Sequence, residues 1–110
     1  MSTTPELRAY TAQAAEGTLS ITIEKEFDFG ALSQDWAHSI ITQHPGPFKE
    51  VRIDMSKCAR VSSTFYAGLM QMHGIYTSKG ARPLVLVKPD RRMMANLKIL
   101  HLDQFFFVVE

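Results

Sequence analysis

The sequence predicts an α/β domain in which helices pack on a mixed β-sheet, in the order β-β-α-β-α-β-α-β. Three observations carry that prediction. Leu19, Ile21, Ile23, Lys25, Phe27 and Phe29 alternate with polar residues, the period of a strand with one buried face. Three later segments space their apolar residues as helices do. Between two of them lies the unbroken apolar run Leu84-Val85-Leu86-Val87, as expected of a strand inside a sheet. Strands alternating with helical segments argue for helices layered on a sheet.

Taken in order, residues 1–6 read as a loose end, and Leu7 to Ala15 as a weak strand closed by a turn at Gly17. The alternating strand runs from Leu19 to Phe29. Ala31 to Gln43 follows as a helix carrying Leu32, Trp36, Ile40 and Ile41. His44-Pro45-Gly46-Pro47 stops it, because proline cannot continue the ladder. Phe48 to Met55 returns to a period of two, with Val51, Ile53 and Met55 on one face. A second helix is expected from Ser63 to Ser78, burying Tyr66, Leu69, Met70, His73 and Tyr76 and ending at Lys79-Gly80. After Leu84–Val87, Pro89 and Asp90 open a last helix with Met93, Met94, Leu97 and Leu100 inward. Phe105 to Val109 reads as a final buried strand.

At 110 residues the chain suits one domain spanning 1–110. Apolar residues make up 45% and charged residues 21%, a globular mix. Twelve basic and eleven acidic side chains nearly cancel, so no overall field draws the chain to nucleic acid. Protein partners or a small ligand fit better. The longest apolar run, Phe105 to Val109, is far short of a membrane span, and no signal peptide is visible. Cys58 is the lone cysteine, which suits a reducing compartment. The expectation is a cytoplasmic protein with no membrane insertion.

Ser62, Ser63 and Thr64 stand where the second helix begins. A helix start offers unpaired N–H groups and the positive end of a dipole. Hydroxyls there are ordinary caps, contributing about 1 kcal/mol. They are equally acceptors for a phosphoryl group, which the same backbone would hold. Composition and spacing leave both roles open.

Around this cluster a wider pattern is visible. Phe27-Asp28 leads into the first helix, Asp54-Met55-Ser56 closes the central strand, and the hydroxyls open the next helix. Gly80-Ala81-Arg82-Pro83-Leu84-Val85-Leu86-Val87 and Leu100-His101-Leu102-Asp103-Gln104-Phe105 follow. The whole resembles a STAS domain, the fold of bacterial anti-sigma factor antagonists, over nearly all of Leu19 to Val109. In that family the loop reads Asp-Ser-Ser-Gly-Leu, and a partner kinase phosphorylates the first serine. The resemblance puts the aspartate position on Ser62, the acceptor on Ser63, the second hydroxyl on Thr64 and the glycine on Phe65. Asp28 falls where the family keeps an acidic residue near the site. The chain thus departs from the pattern at Ser62 and at Phe65.

What the resemblance implies is a partner-switching regulator. It would bind a serine kinase or anti-sigma factor through Asp28, Ser62, Ser63, Thr64, Phe65, Tyr66 and Leu69. Phosphorylation at Ser63, with Thr64 and Ser62 as secondary acceptors, would release it, and a phosphatase would reset it. An exposed Phe65 would leave self-association into a homo-oligomer open. Two rivals share the fold: an unphosphorylated adaptor, such as a subunit of an ABC transporter complex, and a small-molecule sensor.

Enzymatic chemistry is not expected, and neither is a cofactor. His38, His44, His73 and His101 are too scattered for a metal motif, and Cys58 has no second thiol or evident base. Glu24 and Glu26 read as the wet side of a strand. The six glycines form no phosphate loop. Arg91 and Arg92 sit at a helix start, against the dipole; solvated charges are the default reading there, and holding a phosphate or an acidic partner is the alternative. Met70, Met72, Met93 and Met94 divide between core and an adaptable contact surface.

Overall fold

Glu16 and Gly17 both adopt positive φ, 54° and 82°, and fold strand β1 (Tyr10–Ala15) back onto β2 (Thr18–Ile23). Two left-handed residues in succession make the tight turn whose twist matches an antiparallel pair. The register runs from Ala15 opposite Thr18 to Tyr10 opposite Ile23. This computed structural model describes residues 10–23, 36–57 and 63–109, with residues 63 and 64 described by backbone alone. The expected loose end at 1–6, the strand start at Leu7, the strand continuation through Phe29, Leu32 and Cys58 lie outside the described residues.

Beyond β2 each connection crosses over through a helix. The elements are α1 (Trp36–Gln43), β3 (Glu50–Asp54), α2 (Ser63–Ser78), β4 (Val85–Val87), α3 (Arg91–Ile99), a 3-10 turn (Asp103–Phe105) and β5 (Phe107–Val109). The sheet order is β1-β2-β3-β4-β5, with β2 to β5 parallel. Each crossover steps one strand in the same direction. Since such crossovers are right-handed, all three helices belong on one face of the sheet. The α/β class and the predicted element order both hold.

That face is the core. Leu19, Ile21 and Ile23 of β2, Val51 and Ile53 of β3, and Leu86 of β4 are buried in one cluster with Trp36, Ile40, Met93 and Leu97. The register places Ile21 beside Ile53 and Ile53 beside Leu86, so the two-residue period read in the sequence is the period of burial. Each fully buried aliphatic side chain contributes roughly 1.5–3 kcal/mol. On the opposite face Glu50 and Arg52 form an ion pair at 3.0 Å, which at that exposure adds little.

Helix α2 has the predicted bounds, but its buried stripe is turned. Phe65, Tyr66, Leu69, Met72 and Tyr76 are buried, while Met70 and His73 are only half-buried. The cause lies at Gly68, where the missing side chain admits the Trp36 indole against the helix backbone. Phe65 then stacks on Trp36, with ring centroids 4.7 Å apart and planes 4° from parallel. The contact draws the Phe65–Met72 side of the helix toward α1. Tyr76 locks the far end: its hydroxyl donates to the His44 carbonyl at 2.7 Å, and burial pushes its pKa up to about 12.

The exit from α2 is a Schellman motif. Gly80, at φ 104°, donates to Thr77 O, and Ala81 N donates to Tyr76 O at 3.0 Å. Helix α3 ends the same way with His101 (φ 61°) in the left-handed position and Leu102 N donating to Leu97 O at 2.8 Å. This corrects the expectation for Leu100. As the cap residue it turns outward, while Leu102 folds back to pack against the core.

The last strand is also corrected. Of Phe105 to Val109, only Phe106 is buried, and it meets His73 edge-on at 5.7 Å. Among the described strands β5 lies at the sheet edge, and Phe107 and Val109 are exposed.

Candidate functional site

The parallel strands β2 to β5 all point their carboxyl ends the same way, and ligand or partner sites of open α/β sheets gather at that end. Strand β3, the middle one, finishes there at Asp54, and α2 starts after the connecting loop at Ser63. Asp54 pairs in register with Thr22 on one side and Val87 on the other, and Lys88 follows directly.

The Asp54 carboxylate closes a local turn. Its Oδ1 accepts from the Ser56 backbone N–H at 2.9 Å, the short-range bond favoured by an Asp-x-Ser spacing. Hydrogen bonding from the Ser56 backbone, and then from its side chain, holds Asp54 below the ordinary aspartate value of 3.8. Slight burial opposes this, and the positive charges of Lys88 and Lys57 reinforce it. A depressed folded pKa gives stability that is fully present above roughly pH 4 and is lost as pH falls through the folded value. Asp54→Asn is therefore expected to flatten the acid limb of a plot of urea midpoint against pH, with a small effect because the group is largely solvated. An unchanged acid limb would show that Asp54 carries no such linkage.

Helix α2 carries no acidic residue in its first turn. No carboxylate of the same turn therefore offsets its dipole. Asp28 and Ser62 lie outside the described residues, and Ser63 and Thr64 are placed by backbone as the first two residues of α2. The expectation that Phe65, Tyr66 and Leu69 form the partner surface is corrected. Phe65 and Leu69 are fully buried and Tyr66 is 5% exposed, because they make the core side of the helix. The Tyr66 hydroxyl accepts from Asn96 of α3 at 3.4 Å, so it too is turned inward. An exposed Phe65 as a cause of self-association falls with the same finding. On α2 the exposed residues of this region are instead Ala67, Gln71 and Gly74, at helical spacing.

Among the described residues no cluster of three or more His, Cys, Asp or Glu could hold a metal ion, and no helix is long and apolar enough to cross a membrane. Arg91 and Arg92 are exposed on α3, and the conflict with the helix dipole is met by Asp90. Its carboxylate caps the helix by accepting from Met93 N at 2.8 Å.

This arrangement has counterparts among solved structures. The crystal structure of a "putative anti-sigma factor antagonist" of Thermotoga maritima, TM1081, superposes with a TM-score of 0.80. The likeness covers 92% of this chain and 86% of that one, at 12% identity. The chain has the anti-sigma factor antagonist fold. The NMR structure of TM1081 agrees, with a TM-score of 0.74 at 12% identity over 90% of this chain and 78% of that one. No family model matches the sequence, and neither does any curated protein.

Within the anti-sigma antagonist fold, the carboxyl-end groups least visible in the sequence are Asp54, Lys57 and Lys88. The Asp-x-Ser spacing announced the turn at Asp54. Nothing in the sequence announced that Lys88, 34 positions on by number, would join its electrostatic surroundings. That proximity comes from the parallel pairing of β3 with β4.

Proposed function

We propose that this chain is a partner-switching regulator of the anti-sigma factor antagonist kind, working in the cytoplasm as a substrate of enzymes rather than as an enzyme. The observation that carries the reading is the shared fold together with a helix that opens on Ser63 at the carboxyl end of the sheet. Unmodified, the protein binds a serine kinase or anti-sigma factor. The kinase phosphorylates Ser63, and a phosphatase restores the binding form.

The physics of the switch follows from the helix start. A phosphoryl group adds about −1.5 to −2 charges at neutral pH, and free N–H groups at a helix start favour it. The fold therefore survives, while a partner seated over α2 meets new bulk and charge. With Phe65, Tyr66 and Leu69 turned inward, that partner contacts the narrow strip of Ala67, Gln71 and Gly74, whose small side chains allow close approach.

Incubation with ATP and a lysate of the source organism should add one phosphoryl group, mapped by mass spectrometry to Ser63. Ser63→Ala should keep its partner and Ser63→Glu should lose at least tenfold in affinity. Absence of phosphate on residues 62–64, under conditions that label a relative with the Ser-Ser-Gly loop, would overturn the switch. Equal partner capture by both variants would point to the constitutive adaptor, and a ligand-dependent rise in Tm to the sensor.

A further inference from the structure

The opposite end of the sheet from the β1–β2 hairpin carries a second surface, independent of Ser63. Among the described residues, the exposed large hydrophobic side chains all fall at the end of the last helix and in the last strand. They are Ile99 (72% exposed), Leu100 (47%), Phe107 (57%) and Val109 (41%). Of these, Phe107 and Val109 stand on the last strand itself, where exposed apolar side chains suit contact with a further strand.

Strand β5 is an edge: among the described strands it pairs with β4 alone. Phe107 N donates to Leu84 O at 2.9 Å, and Val109 O accepts from Lys88 N at 2.7 Å. Backbone groups alternate in direction along a strand, so the N–H and C=O of Val108 point away from the sheet. Beside this edge, between β5 and the start of α3, runs a groove of about 450 Å³ lined by Lys88, Pro89, Arg91, Met94 and Val108. Its lining is apolar apart from two cations.

The two charged side chains that line the groove, Lys88 and Arg91, are both cations, with the carboxylates of Asp54 and Asp90 nearby. Lys88, Arg91, Arg92 and Lys98 lie on α3 and its approach, and no salt bridge among the described residues engages them. The acid of that stretch, Asp90, is held by its capping bond to Met93 N.

We propose that the β5 edge and its groove dock an extended segment of a partner protein that bears both carboxylates and apolar side chains, added to the sheet as a further strand. Backbone bonds to Val108 set its register, apolar side chains rest on Met94 and Val108 or on Phe107 and Val109, and carboxylates meet Lys88 and Arg91. Charge complementarity selects this occupant. Two copies of the chain brought together at this edge would oppose like charges. An anionic lipid surface would satisfy the cations, but it would leave the strand edge without backbone partners.

The test uses the full chain and a synthetic capped peptide of alternating valine and glutamate, with a valine–lysine peptide of equal length as control. Binding is read from backbone amide NMR shifts. The glutamate peptide should shift the Val108, Lys88 and Arg91 amides and bind at least tenfold more tightly than the lysine peptide, with affinity falling as salt rises. The double charge reversal Lys88→Glu with Arg91→Glu should abolish that preference without changing the fold. Val108→Pro should weaken binding while β4 pairing persists, because proline is tolerated on an edge strand whose N–H faces outward. Equal binding of the two peptides, or binding indifferent to the charge reversal, would overturn the proposal. So would sedimentation as a dimer with the β5 edge protected, or binding to phosphatidylserine vesicles in place of the peptide.

Discussion

Replacing Phe65 by glycine should destabilise the protein by about 5 kcal/mol. Truncating a buried phenylalanine costs roughly 3–5 kcal/mol, and glycine within a helix adds about 1 kcal/mol. Here the ring is fully buried and stacked on Trp36 at 4.7 Å, with Tyr66 edge-on at 6.0 Å, so the cavity has little means of closing. A loss of that size rivals the whole stability of many domains. Urea unfolding, with Phe65→Leu as the milder companion, reads it. A change below about 1 kcal/mol would mean that the ring does not anchor α2 to α1.

Gly68→Ala is the second large effect, expected at about 3 kcal/mol, the upper part of the range for overpacking a core. An added Cβ would run into Trp36 Nε1 and lie within 2.7 Å of Cε2, in contact with a ring that is itself held by Phe65. The indole cannot yield without breaking that stack. Gly74, six residues along the same helix, has nothing within 4 Å of the equivalent position. Gly74→Ala should therefore stabilise by about 0.5–1 kcal/mol, the ordinary gain from removing a helical glycine. Opposite signs for the same substitution in one helix, measured as shifts in Tm or urea midpoint, would confirm the packing account. Loss at both positions would contradict it.

The behaviour of these residues separates what a linear pattern encodes from what it does not. Alternation at Leu19, Ile21 and Ile23 and at Val51, Ile53 and Met55 foretold burial correctly, because a strand's period is set by backbone geometry alone. The bounds of α2 were legible too, since hydroxyls begin it and Gly80 ends it through a left-handed cap. Rotation of that helix was not legible. Tyr66 and Leu69 belong to the buried stripe under either reading. Phe65 and Met72 join it, ahead of Met70 and His73, only because Gly68 lets a tryptophan from another helix approach. No periodicity in α2 contains Trp36.

Strand position was hidden for a similar reason. The apolar run from Phe105 to Val109 promises burial, but burial depends on having a neighbour on each side, and strand order is a property of the assembled sheet. The hydroxyl cluster keeps its place in this division. By itself the sequence determined that three hydroxyls stand where α2 begins, because helix boundaries are written in local residue chemistry. Only the tertiary structure decided that Phe65, Tyr66 and Leu69 beyond them face the core and leave Ala67, Gln71 and Gly74 outward. Which side of a helix meets solvent is fixed by what packs against it, and those partners come from distant parts of the chain.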